Sequence, residues 1–168
     1  MKCLLIYQLL LKVNSHINST EYKTFNIVLW DTAGQEKYRS MTKSFYQDSQ
    51  IVILVYSITN KKTFEEIKKY WYQSIVDHIG KDAIFGLAAN KVDLFEKEEV
   101  SKNEGIEYAK EIGATFRETS AKDLRKDLKI FINELIEQLL QNKNLIQREE
   151  KIILKNQKKT KKRCCFFL

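Results

Sequence analysis

The sequence predicts an α/β domain of three layers, a mostly parallel sheet with helices on both faces. Three observations carry this expectation. Residues 51–56 (IVILVY) and 83–89 (AIFGLAA) are continuous apolar runs, the mark of strands buried on both sides. Stretches with helical spacing alternate with such runs, which is the order of a parallel sheet with crossover helices. The chain has 168 residues, 43% apolar and 30% charged, enough for one domain with a sizeable core.

Taken in order, residues 1–13 (MKCLLIYQLLLKV) are apolar but fall short of the roughly 20 residues that span a bilayer. Asn14-Ser15-His16 supplies no small-x-small cleavage site, so a signal peptide is disfavoured. Residues 9–17 and 22–30, separated by Asn18-Ser19-Thr20, read as a hairpin. Phe45-Tyr46 closes a short helical segment, and 51–56 is a strand. Residues 63–79 carry Phe64, Ile67, Trp71, Ile75 and Ile79 on one helical side. After the strand at 83–89, Ser101 caps a helix, with Glu104 completing a capping box and Gly113 ending it. Residues 114–118 form a last strand, and Leu128, Phe131, Leu135 and Leu139 mark one face of a C-terminal helix.

Three polar motifs follow strands. The first is Trp30-Asp31-Thr32-Ala33-Gly34-Gln35-Glu36, after the apolar run 25–29. The carboxyl edge of such a sheet is where ligands bind. The Asp31 carboxylate suits a magnesium shell. The bare N–H of Gly34 suits a terminal phosphate, and Gln35 is placed to orient a water. Alone, Asp-x-x-Gly equally fits a strand closing in an Asx turn. The second motif is Asn90-Lys91-Val92-Asp93. A carboxylate at Asp93 accepts two N–H bonds from a guanine edge, which adenine does not offer. The Lys91 stem suits the face of the base, and Asn90 suits a tie between loops. The third is Glu118-Thr119-Ser120-Ala121-Lys122. Here the Ala121 N–H would meet a base carbonyl and the Lys122 stem the ring, while Ser120 also reads as a plain helix cap.

Together these motifs resemble the small GTPases, most closely the Rab branch. The stretches that carry the resemblance are LWDTAGQEKYRSM, FYQDS, IVILVYSIT, NKVD and ETSAK, followed by paired cysteines at the end. It implies the small GTPase or P-loop NTPase-like fold, incomplete at the N-terminus, with GTP or GDP and Mg2+ as cofactors. By the same resemblance Asp31 would reach magnesium through water, Gly34 would contact the γ-phosphate and Gln35 would be the catalytic residue. Asn90, Lys91, Asp93, Ser120, Ala121 and Lys122 would hold guanine, and Trp30 and Phe45 would face effectors. Core packing is the plainer reading of both aromatics.

The net charge of +7 belongs to a tail. Lys155, Lys158, Lys159, Lys161, Lys162 and Arg163 carry six of those charges with no acid among them, leaving +1 for the rest. Nucleic acid is not the expected partner of this run, because Cys164-Cys165-Phe166-Phe167-Leu168 follows it. Cys165 opens a C-a-a-X box whose final Leu favours a geranylgeranyl chain, and double-cysteine tails resemble Rab proteins lipidated on both thiols. One chain anchors marginally, and a polybasic run adds about 1 kcal/mol per residue on an anionic membrane. The expected division is therefore a domain at 1–154 and a prenylatable tail at 155–168. The odd cysteine count argues against a disulfide framework and for a reducing compartment. The resemblance adds prenyltransferase or escort proteins, GDI-like proteins and Rab effectors as partners. The expected protein is a monomer cycling between cytosol and the cytoplasmic face of an endomembrane.

One family feature is absent from the sequence. No G-x-x-x-x-G-K-[ST] occurs, and Gly34 is the first glycine. The expectation is a chain without the first strand, phosphate loop, first helix and most of the first switch, weak in GTP binding and turnover. In the family the first strand lies between the strands at 23–31 and 51–57. Residues 1–7 either fill that slot or extend an edge hairpin; the edge hairpin is favoured, because a plug would need a sharp chain reversal near Gln8, where no turn residue stands. A prenylated, non-catalytic interaction module and a degenerate product of a truncated gene are the alternatives to a vesicle-traffic GTPase.

Overall fold

A computed structural model describes residues 7–17, 23–33, 49–80, 82–122 and 127–142. Five strands form one sheet: β1 (Tyr7–Ile17), β2 (Lys23–Ala33), β3 (Ile51–Ser57), β4 (Ile84–Asn90) and β5 (Thr115–Thr119). Their spatial order is β2-β1-β3-β4-β5. β3 pairs parallel with β4 from Ile51↔Ile84 to Ser57↔Asn90, and β4 pairs parallel with β5. β1 runs antiparallel to both of its neighbours, so the other four strands point one way. The fold is the expected three-layer α/β arrangement.

The position of the hairpin is not the expected one. β1 fills the slot between β2 and β3, and β2 becomes the edge. The register gives the reason. Leu9, Leu10 and Leu11 stand across from Ile53, Val52 and Ile51, so the apolar triplet meets the apolar start of β3. Register follows such matching, and it satisfies backbone groups that β3 would otherwise leave unpaired. The whole strand enters the slot, so no chain reversal near Gln8 is needed. β1 meets β2 over eleven positions but β3 over only four, Gln8↔Leu54 to Leu11↔Ile51.

Helices cover both faces. On one side α1 (Lys61–Glu66) continues through a π-helical stretch, Ile67–Trp71, into α2 (Tyr72–Ile79). The start lies two residues before the expected one, because the Asn60 side chain accepts the Lys62 amide and caps the helix there. Phe64, Ile67, Trp71 and Ile75 pack with α3 (Lys102–Ile112) against Val52, Leu54, Tyr56, Phe85 and Leu87. α3 has the predicted capping box of Ser101 and Glu104 and ends at Gly113 in the left-handed region, φ 68°. On the other side α4 (Asp127–Gln141) lays Phe131, Leu135 and Leu139 on Ile51, Ile53 and Ala88. Between β4 and α3 the chain forms a 3-10 helix, Val92–Lys97, which hydrophobic spacing does not predict.

Two glycines permit these contacts. A Cβ on Gly86 would lie 2.7 Å from Phe131 Cζ, and one on Gly105 would lie 2.4 Å from the Tyr56 hydroxyl and 2.7 Å from Phe116 Cε2. Gly105 sits inside a helix, where alanine ordinarily gains about 1 kcal/mol. Here Gly105→Ala will reverse that sign, because the buried Tyr56 ring and Phe116 must both move. Thermal or urea unfolding should show a net loss of about 1–3 kcal/mol, and a gain would contradict this packing.

Candidate functional site

Parallel pairing brings the ends of β3, β4 and β5 to one level. Ser57 pairs with Asn90, and Asn90 with Thr119. The loops that leave these strands meet there. Asn90 ends β4. Its side-chain Oδ1 accepts the Lys91 amide at 2.8 Å, and its carbonyl accepts the Ile58 amide at 3.0 Å. Lys91 takes φ 68°, ψ 34°, a left-handed conformation that is uncommon away from glycine and reverses the chain after the strand. Asp93 then stands in the first turn of the 3-10 helix.

The loop after β5 closes on Asp93. The Ser120 hydroxyl donates to Asp93 Oδ1 at 2.7 Å, and Lys122 Nζ lies 3.4 Å from Asp93 Oδ2. Ser120 Oγ also accepts the Lys122 amide at 3.2 Å, which fixes the turn. Thr119 Oγ1 donates to the Ala89 carbonyl at 3.4 Å. The Ser120 hydroxyl holds the Asp93 carboxyl below its usual range, and Lys122 assists against slight desolvation. An anion with two oxygens is thus held at the carboxyl edge, with a lysine stem on either side in sequence. The backbone carbonyl of Asn90 joins the loops after β3 and β4, while its side chain reaches only the adjacent Lys91 amide. Ser120 works as a clamp on Asp93, and residues 123–126, which a cap would begin, lie outside the described residues.

The first motif is not brought to this level. Asp31 pairs with Leu9, and Leu9 with Ile53, four positions short of Ser57 on β3. It also lies inside β2, which runs on to Ala33. Four residues along a strand and three strands across put Asp31 on the order of 20 Å from Asn90. Trp30 lies on the same edge strand. Gly34, Gln35, Phe45, Cys164 and Cys165 fall outside the described residues. A magnesium site needs several hard oxygen donors. Among the described residues no cluster of three or more His, Cys, Asp or Glu occurs, and Asp31 is a single carboxylate. These residues do not form a metal site, and no step is routed through a metal. No helix among the described residues is long and apolar enough to cross a membrane.

Sequence reasoning missed Ile58 and Glu99. The Ile58 backbone contacts both ends of the Asn90–Val100 loop, and Glu99 reaches the Lys61 amide. Ile58 stands in the stretch IVILVYSIT but acts through its backbone, which side-chain reasoning does not read, and Glu99 sits in an ordinary charged run, Glu96-Lys97-Glu98-Glu99.

A mixed, mostly parallel sheet covered by helices on both faces, with Asp93 clamped at its carboxyl edge, fits the small GTPase class. The family model described as the Ras family matches residues 10–141, and the chain belongs to that family, on its Rab-type branch. The Ras-related protein RABC1 of Arabidopsis thaliana is 38% identical over 124 residues, covering 73% of this chain and 58% of that protein. The chain thus spans less than two thirds of the length of this relative.

Proposed function

We propose that this Rab-type chain recognises guanine through the loops after β4 and β5, and grips the phosphate end of a nucleotide weakly. The observation that supports it is the Asp93 carboxylate, clamped by Ser120 and Lys122 beside Asn90. Asp93 would accept the two N–H groups of the guanine edge. The Ala121 amide would meet the base carbonyl, and the stems of Lys91 and Lys122 would flank the ring. By family membership Gly34 would meet the γ-phosphate and Gln35 the attacking water, while Asp31 alone does not make a magnesium site.

Weakness at the phosphate end follows from charge. The 168 residues contain no G-x-x-x-x-G-K-[ST] run, whose amides and lysine neutralise the β- and γ-phosphates. The guanine contacts contribute about 1.5–3 kcal/mol each, while association costs several kcal/mol. Micromolar affinity needs about 8 kcal/mol.

In the cell the protein would act in vesicle traffic as a membrane-anchored member of its family. Residues 1–154 would form the domain and 155–168 the anchor, lipidated at Cys164 and Cys165 and drawn to anionic membrane by the basic run. Escort, GDI-like and effector proteins would be its partners, with Trp30 and Phe45 on the effector side. A non-catalytic, prenylated interaction module is the second reading. The lack of a G-x-x-x-x-G-K-[ST] run in the 168 residues favours it.

NMR titration of the full chain with guanosine, GDP, GTP and adenosine separates these statements. The expected result is shifts at residues 90–93 and 120–122 with the guanine compounds, none with adenosine, and dissociation constants weaker than micromolar. An equal response to adenosine would sink the base assignment. Submicromolar GTP would sink the weak phosphate grip.

A further inference from the structure

The loop that carries Asp93 is closed at both ends on a single residue. The Ile58 amide donates to the carbonyl of Asn90, where the loop leaves β4. The Ile58 carbonyl accepts the amides of Glu99 at 2.7 Å and Val100 at 3.2 Å, where the loop ends. Ile58 is itself held by the turn after β3. Thr63 Oγ1 accepts the Ser57 amide at 3.0 Å and donates to the Asn60 carbonyl at 2.7 Å. Asn60 in turn donates its amide to the Ser57 carbonyl at 3.1 Å.

One side chain of the loop reaches back across this turn. Glu99 Oε2 accepts the Lys61 amide at 2.8 Å, a contact between residues 38 apart in sequence. That amide begins α1, and an amide in a first helical turn has no partner within its own helix. A carboxylate there makes a charge-assisted bond. Beyond Glu99, Val100 is fully buried and Ser101 opens α3 through its capping box. The far end of the loop is thereby fixed between two helix starts. Between Lys91 and Glu98 the ties are the partly buried Val92 on the core and the Ser120 and Lys122 contacts of Asp93.

We infer that Glu99 is a positioning residue for base recognition: by holding the Lys61 amide it braces the far end of the Asn90–Val100 loop, which the Ile58 backbone closes, and so helps set where Asp93 stands. The inference rests on the guanine reading for its functional consequence and on the loop geometry alone for its structural one. Glu99 touches no base. Its loss leaves the far end of the loop held by the Ile58 bonds alone, so the loop opens more often and Asp93 must be re-ordered when the base arrives.

The test uses the full chain with Glu99→Ala, Glu99→Gln and, as a neighbouring control, Glu96→Ala. Amide hydrogen exchange of residues 90–100 without nucleotide reads the closure, and titration with GDP reads the consequence. Glu99→Ala should speed exchange through the loop and weaken GDP about fivefold. Glu99→Gln keeps an acceptor oxygen and should recover most of both. Glu96→Ala should change neither, and all three should unfold near the parent temperature. Unchanged loop exchange in Glu99→Ala overturns the inference, as does a Gln variant as impaired as the Ala variant. If the parent chain fails to bind GDP, the guanine reading falls, while loop exchange still decides the role of Glu99.

Discussion

On the proposed guanine reading, Asp93→Asn is expected to exchange the preferred base from guanine to xanthine. Guanine presents two donors, N1–H and the 2-amino group, to the two carboxylate oxygens. Asparagine offers one acceptor and one donor, so the 2-amino group meets another N–H. Xanthine has a carbonyl at that position and matches the amide. Loss of the bond to the 2-amino group and of the charge assistance on the bond to N1–H, about 3 kcal/mol together, lowers guanine affinity about 100-fold. Oδ1 of the asparagine can still accept from Ser120, so the loop keeps its closure. Paired titrations with guanosine and xanthosine check the exchange, and an Asn variant with unchanged guanosine affinity would remove Asp93 from the base site.

The same carboxylate fixes the sign of the pH response. The Ser120 hydroxyl holds Asp93 below its ordinary range, with Lys122 assisting. A lowered folded-state pKa means that protons compete with the base only in acid. Guanine binding should stay flat from neutral pH down to the ordinary carboxylate range and fall below it. Any stability linked to this group is likewise present above the unfolded pKa and lost as pH drops through the folded one. Ser120→Ala should move the loss to higher pH.

Phe131→Ala will produce the largest loss of stability among single truncations on the α4 face, about 3–5 kcal/mol. The ring is 0% exposed and fills the space that Gly86 leaves above β4. Glycine presents no side chain from the sheet side to fill the hole. Urea unfolding should show a lower midpoint at unchanged slope. Gly86→Ala should itself destabilise the parent, because its new methyl meets the ring and lies 2.9 Å from Leu135 Cδ1, and should cost less in the Phe131→Ala background, where only Leu135 must give. A cycle over the four proteins reads that difference. Additive effects would show that the ring and the glycine do not share the space.

Much of the parallel half was legible because its signals are local and mutually consistent. The runs at 51–56 and 83–89 have the continuous apolar character of doubly covered strands, and both are strands here. Ser101, Glu104 and Gly113 mark the ends of α3 by capping chemistry that acts within four residues. The clamp on Asp93 was half legible. Both motifs stood at strand ends, but the pairing of Ser120 with Asp93 depends on β4 and β5 being neighbours in space. The antiparallel half was misread because strand order is not a local property. Residues 9–17 read as a strand in either position. What chose between edge and slot was the match of Leu9-Leu10-Leu11 to the start of β3, a comparison across some forty residues. Glu99 was invisible for a similar reason: its partner amide lies 38 residues away.

The short seam between β1 and β3 divides the molecule mechanically. Four rungs weld the two-stranded ribbon to a block that is itself knitted by seven between β3 and β4. Fluctuation will lift the ribbon as a unit long before the block melts. Each such excursion lays bare the flank of Ile51 to Leu54, a row of open amides and carbonyls on some of the most sheltered residues of the chain. That flank is a ready template for a foreign strand. The resistance of this protein to clumping is therefore expected to depend on how tightly Gln8 to Leu11 adhere to it.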